Sequence, residues 1–300
     1  MSIQVRTLQQ AHQAMLSQDG DGVIIHRLAG RHLNRVLDPF LLIDEINSDN
    51  AKDYIGGFPE HPHRGFETIT YVKAGLIRHS DHMGNEGVIG PGDVQWMKAG
   101  AGIVHSEMPE QQDGLLHGFQ IWLNLPANEK MQAPDYRDIT ADSIPSLTLQ
   151  NGGMIKVIAG DLAIDAKQLS GSMPKRTTTP LIADIELTAN QTIQLTFEQA
   201  LSATALVYKG STSDLNTRQA GIYSHGESLT LNAGNEGASI LLLAGLPLAE
   251  PIAQYGPFVM NSTNEIEQTL RDYQSGAFLS PALHQKEVAT RAPKEPATTA

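Results

Sequence analysis

Hydrophobic positions along the chain fall mostly in short runs and alternations rather than at helical intervals. Phe66-ETITYV, Gly87-VIG, Asp93-VQWM, Phe119-QIWLNL, Met154-IKVIAG and Ala205-LVYK each read as a short β-strand. Gly, Pro, Asn and Asp punctuate the intervals, and 27 glycines and 16 prolines supply the turns that a sandwich or barrel of short strands needs. Near the end the period changes. Ile266, Leu270 and Tyr273 recur at helical spacing, Ser262 and Glu265 have the spacing of a capping box, and Gly276 suits a C-terminal stop. Residues 284–300 are rich in Ala, Thr, Pro and charge without apolar period, which predicts a disordered tail.

The strand pattern repeats. Tyr71-VKAG followed by Gly87-VIGPGDVQWMKAG matches Val207-YKG followed by Gly221-IYSHGESLTLNAG, so that Gly75 pairs with Gly210, Gly92 with Gly226 and Gly100 with Gly234. The repeat predicts an all-β chain of two tandem antiparallel barrels of similar size, with a few short helices. The division falls in the polar, Pro-containing stretch between Pro126 and Asn151, giving an N-terminal domain over 1–140 and a C-terminal domain over 141–283.

Composition narrows the chemistry. With 40% hydrophobic and 18% charged residues among 300, the chain reads as an ordinary soluble protein. Its net charge of −12 and lack of a basic stripe disfavour direct binding of nucleic acid. The longest apolar stretch, Ile240-LLLAGLPLA, is shorter than the roughly 20 residues a bilayer requires, and Met1-SIQVRTLQQAHQAML lacks an apolar signal core. The absence of cysteine excludes disulfides, thiolate metal sites and a thiol nucleophile, and is compatible with the cytoplasm. Neither a Walker A motif nor a dinucleotide-binding glycine pattern is present.

The informative side chains lie in the first repeat. Residues two apart on a strand share a face, so His61 and His63 can point one way, as can His105 and Glu107. If the two strands face each other, three imidazoles and a carboxylate converge, a donor set suited to a divalent Fe, Mn, Ni, Cu or Zn ion rather than Mg or Ca. Four ligands from two strand segments leave coordination positions open for water, dioxygen or a chelating substrate. Pro62 cannot donate to a ladder and places the first pair at a strand start or edge. Aligned on its glycines, the second repeat carries Thr196 and Glu198 in place of His61 and His63, and Ser239 and Leu241 in place of His105 and Glu107, which predicts one metal per chain, in the N-terminal half.

At these residues the chain resembles the cupins and, within them, the pirins. Asp38-PFLLIDE, Gly57-FPEHPHRGFETITYV, Gly92-DVQWMKAGAGIVHSEMP, His117-GFQIWLNLP and Pro251-IAQYGPFVMN with Glu265-IEQTLRDYQSGAF carry the resemblance. It implies a bicupin whose N-terminal barrel holds one metal, most often Fe(II), with Mn, Ni, Co, Cu or Zn as alternatives, on His61, His63, His105 and Glu107. Several bacterial pirins resemble quercetin 2,3-dioxygenases, which implies a small aromatic, flavonoid-type substrate. Other pirins act as metal-dependent regulators that bind a transcription factor or a metabolic enzyme, which implies a protein partner instead.

Glu67 completes the wider cupin pattern H-x-H-x-x-x-E with His61 and His63. Glu107 takes the ligand role in the pirin pattern, leaving Glu67 to orient a histidine or the substrate. Either Glu107, if it can leave the metal, or Glu67 is the expected general base. His79 and His82 are expected at the surface or the pocket rim, and His117 is a candidate pocket residue. His12, His26, His32, His225 and His284 read as structural or solvated, and Trp96 and Trp122 as core anchors.

Overall fold

The alternation along the strands becomes a stack of packed β-sheets in a computed structural model that describes residues 4–30, 33–165 and 167–279. The expected disordered tail, 284–300, lies outside them. The N-terminal half holds a seven-stranded sheet, in which Asp135–Ile139, Val94–Lys98, Phe66–Ala74, Leu116–Asn124, Phe40–Ser48, Val23–Ala29 and Met15–Asp19 lie side by side. A four-stranded sheet of Phe58–His63, Ile103–Pro109, Ile77–Asp81 and Glu86–Ile89 faces it. The C-terminal half is a ten-stranded sheet folded over itself by the long strand Ser228–Gly245. That strand pairs first with Thr192–Thr196 and then with Leu181–Leu187 and Ser202–Thr212. The expected barrels are thus pairs of facing sheets that do not close into hydrogen-bonded cylinders.

The duplication is real in topology but not in the register read from the glycines. The core strand Phe66–Ala74 lies between Val94–Lys98 and Leu116–Asn124, just as Ser202–Thr212 lies between Gln219–Tyr223 and the last part of Ser228–Gly245. Phe58–His63 pairs with Ile103–Pro109 as Thr192–Thr196 pairs with residues 228–232. The counterpart of the His105 strand is therefore the stretch beginning at Ser228, not the one holding Ser239 and Leu241. The first half inserts the hairpin Ile77–Asp81 and Glu86–Ile89 before Val94–Lys98, while the second goes directly from Ser202–Thr212 to Gln219–Tyr223. Equal glycine spacing consequently does not mean equal strand position.

Packing follows from which faces are covered. Ile69, Tyr71, Trp96, Phe119 and Ile121 on one face of the N-terminal sheet join Ile182, Leu206, Tyr208, Ile222 and Leu241 of the C-terminal sheet in one apolar cluster. The opposite face of that C-terminal sheet carries Val157, Ile185, Val207 and Leu242, packed on Ile193, Leu195, Leu229 and Leu231. Burial on both faces explains why Ile240-LLLAG is uniformly apolar rather than alternating. Among the described residues no helix is long and apolar enough to cross a membrane.

The strand Leu8–Gln13 and the segment around Thr263–Ser275 cross between the halves. Leu8–Gln13 pairs with Gln219–Tyr223, extending the C-terminal sheet. The α-helix Thr263–Ser275 starts on Ser262, whose Oγ accepts from the Glu265 amide, and stops at Gly276 in the left-handed conformation, as its sequence predicts. It returns to the N-terminal half, where Arg64 is buried beneath it, donating to Asp272 (2.7 Å) and Thr269 (3.2 Å) with its guanidinium over the Phe278 ring. Gly65 next to it has φ +89°, and a Cβ there would lie 1.9 Å from the Val259 carbonyl, so only glycine allows this close approach. Lys130, fully buried, donates to the Gly65 and Val259 carbonyls and to Asn124, tying the turn after His63 to the C-terminal segment.

Candidate metal centre

Phe58–His63 is an edge strand, which accommodates Pro62 without a lost ladder bond. It pairs with Ile103–Pro109 so that His61 lies directly opposite His105, and Pro62 opposite Val104. The ring centroids of His61, His63 and His105 are 4.4–4.9 Å apart, and their ligand nitrogens all lie within 4.8 Å of one another. His63 and His105 are buried. Desolvation, reinforced for His63 by His61 and for His105 by His63, His61 and His79, holds both far below the ordinary imidazole range. Neutral rings with free lone pairs are what a metal ion requires.

The hydrogen bonds assign the tautomers. His61 Nδ1 donates to the Pro59 carbonyl (2.8 Å), which leaves its Nε2 as the lone pair, 3.0 Å from His63 Nε2. His79 Nε2 lies 3.2 Å from Asp81 Oδ2 and donates to it; its Nδ1 then accepts from His105 Nδ1 at 3.4 Å. This chain turns the lone pair of His105 Nε2, a buried atom with no hydrogen-bond partner, toward the other two rings. An orphaned nitrogen and two ring nitrogens at 3.0 Å have no role in an apolar core, and the set fits a transition-metal ion. His79, expected at the surface or rim, is instead fully buried and stacked on Tyr136 (4.6 Å). The signal was its alternation with Asp81 on one strand, which places both on the face of the site.

Glu107 is buried on the His105 strand and lines the same cavity, but its carboxylate is not within the histidine group. The pairing register slips between His105 and Glu107, and Thr70 Oγ1 (2.7 Å) and Gln120 Nε2 (3.2 Å) donate to its two oxygens. Glu67 does not join the site. Counting from His63 fails because the chain turns at Arg64-Gly65 into the other sheet, where Glu67 faces away from Thr70. Its buried carboxylate pairs with Arg176 (3.0 Å), whose guanidinium stacks on Trp96 at 3.6 Å. Burial pushes Glu67 up to about 7, opposed by Arg176. His117 likewise faces the other half, 3.1 Å from Glu45 and beside Tyr208.

A cavity of about 670 Å³ opens from His61 and His63 over the inner face of the seven-stranded sheet. Period-two alternation gives its floor three cross-strand rows. Thr70, Gln120, Asp44 and Arg27 stand opposite one another across four strands as a polar row. Thr68, Trp122 and Leu42 form the row on one side, and Val72, Gly118 and Ile46 that on the other. Trp122, expected as a core anchor, lines the cavity, with its ring 5.3 Å from His63 and 4.3 Å from Phe66. At Gly118 a Cβ would lie 2.8 Å from the Tyr71 carbonyl, so the floor stays low there.

Tandem β-units of this topology, with histidines converging, among the described residues, inside the first alone, define a bicupin: two cupin domains, one of them with a histidine cluster that could hold a metal. Residues 22–123 match the family described as Pirin and residues 182–279 that described as Pirin C-terminal cupin domain, and the chain belongs to the pirin family. It is 43% identical over 278 residues to a Pseudomonas aeruginosa protein named "Putative quercetin 2,3-dioxygenase", covering 90% of this chain and 97% of that protein. It is 42% identical to a pirin-like protein of Caulobacter vibrioides, over 87% of this chain and 95% of that one. The crystal structure of quercetin 2,3-dioxygenase from Acinetobacter baumannii superposes with a TM-score of 0.83 at 33% identity, covering 91% of this chain and 98% of that one.

Proposed function

We propose that this chain is a metal-dependent dioxygenase that cleaves flavonols in the manner of quercetin 2,3-dioxygenase. The observation that carries the reading is the convergence of His61, His63 and His105 beside a largely apolar cavity that Glu107 also lines, whose volume of about 670 Å³ suits a ligand of drug size. His61, His63 and His105 would hold the ion, and Glu107 would be its fourth ligand until a flavonol takes that place and leaves the carboxylate free; Fe(II) is the ion proposed, with Mn, Ni, Co, Cu and Zn as alternatives. When bound, the ion supplies Lewis acidity toward a chelating hydroxyl and redox chemistry toward dioxygen.

The protein's own residues do the rest. Glu107 accepts the proton of the flavonol 3-hydroxyl as general base, its carboxylate aimed by Thr70 and Gln120. Trp122 and Leu42 offer apolar surface to the rings. The sequence resemblance and the relatives named for quercetin 2,3-dioxygenase support the same reaction. Adding quercetin anaerobically to the Fe(II)-loaded protein should shift the flavonol absorbance, and admitting air should consume dioxygen and release carbon monoxide. Absence of both the shift and the oxygen uptake overturns the proposal.

A further inference from the structure

The cavity floor carries charge that the chemistry at the histidines does not use. Beyond Gln120 the polar row continues to Asp44 and Arg27, which line the same cavity. Arg27 Nε donates to Asp44 Oδ1 (3.0 Å), and Nη2 donates to Asp44 Oδ2 and to Asp19 Oδ2 (2.7 Å each). Nη1 has no hydrogen-bond partner among the described residues, and each Asp44 oxygen keeps a second lone pair. Asp44 is buried while Arg27 keeps a quarter of its side chain accessible, so the pair meets whatever enters the cavity.

We propose that Arg27 and Asp44 form a hydroxyl-reading subsite that selects ligands carrying a polyhydroxylated aromatic ring at the end remote from the three histidines. The inference rests on the flavonol reading and names which flavonols the site prefers. Adjacent strands lie about 4.8 Å apart, which puts Arg27 roughly 10 Å from Gln120 along the row, two strand steps away. Gln120 holds Glu107, so the row leads from the carboxylate beside the histidines toward Arg27, the direction a pendant ring takes when the other end of the ligand is chelated. The vicinal hydroxyls of the far ring divide the contacts: one accepts from Arg27 Nη1, on the side of the guanidinium away from Asp44, and its neighbour donates its own proton to an Asp44 oxygen. Asp19 and Asp44 together outweigh the single guanidinium, so a carboxylate or phosphate at this end is repelled while a neutral hydroxyl is not. The apolar rows on either side hold the ring between them.

The test compares two flavonols that differ only on the pendant ring: quercetin, with vicinal hydroxyls, and the analogue with none. Dissociation constants are measured anaerobically by absorbance titration on the metal-loaded protein, wild type, Asp44→Asn and Arg27→Gln, with metal content and thermal midpoint as controls. Wild type should prefer quercetin about five- to tenfold, the size expected for one or two hydrogen bonds, and both variants should shrink that ratio to within twofold. Wild type binding both flavonols equally, or folded, metal-loaded variants keeping the preference, overturns the subsite while the flavonol reading stands. Binding of neither flavonol to the wild type overturns both.

Discussion

The two halves of this chain apply one strand arrangement to opposite ends. In the first, the strands Phe58–His63 and Ile103–Pro109 bring His61, His63 and His105 together beside a hollow interior that His61, His63 and Glu107 line. In the second, the matching stretches present Ile193, Leu195, Leu229 and Leu231, all buried in a filled core. The large sheets differ in the same way: the row Thr70, Gln120 and Asp44 on the inner face of one answers to the row Val207, Ile240 and Ile185 on the inner face of the other. Leaving a domain interior hollow and polar forgoes burial worth roughly 25 cal/mol per Å² of apolar surface. The packed copy is joined to the hollow one through the shared apolar cluster, the strand Leu8–Gln13 and the Arg64–Asp272 ion pair.

The comparison can be broken most directly at the metal. Replacing His61 and His105 together by alanine should reduce bound ion from one per chain to near none by elemental analysis, whereas Leu195→Ala in the second copy should leave the ion in place. Retention in the first variant, or loss in the second, would reverse the assignment. The next effect is in stability. Leu195→Ala opens a cavity in a filled core and should cost about 2–5 kcal/mol in denaturant unfolding, while Leu42→Ala enlarges an existing hollow and should cost about half as much or less. Equal costs would show that the two interiors are packed alike.

A smaller effect is expected at His79. With its loss, His105 no longer has the partner that fixes its tautomer, and metal affinity read by chelator competition should weaken about 10–100-fold. Unchanged affinity in a folded His79→Ala protein would leave that histidine a packing residue. The mildest effect comes from Glu67. Its folded value of about 7 lies above the ordinary 4.5, so the folded chain holds more protons between those pH values and stability falls as pH rises through that window. Glu67→Gln should flatten this slope by at most about 3 kcal/mol across the window in thermal or denaturant unfolding. An unaltered slope would mean that Arg176 keeps the carboxylate ionised throughout.

Much of the site was legible because its spacing is local. His61 and His63 share an edge strand, His105 and Glu107 share the next, and Pro62 marks the edge; none of this needs knowledge of distant contacts. The reading failed where the chain leaves a strand. Glu67 lies four residues from His63, but the turn at Arg64-Gly65 carries it to another sheet and another face. The glycine-anchored repeat failed for the same reason, since an inserted hairpin shifts strand order without disturbing the turn pattern. His117 and Trp122 exchanged their expected places because which face of Leu116–Asn124 meets the cavity depends on what packs behind it.

Period-two alternation, turn residues and the two histidine-bearing pairs belong to the linear chain, because a strand's side chains are sorted by parity before any sheet forms. Parity cannot say which side will be hollow. That was decided when the C-terminal sheet covered one face of the N-terminal sheet, leaving Thr70, Gln120, Asp44 and Arg27 in line across four strands from residue 27 to residue 120. Their alignment exists only through hydrogen-bonded register between distant segments, which no local stretch of sequence contains.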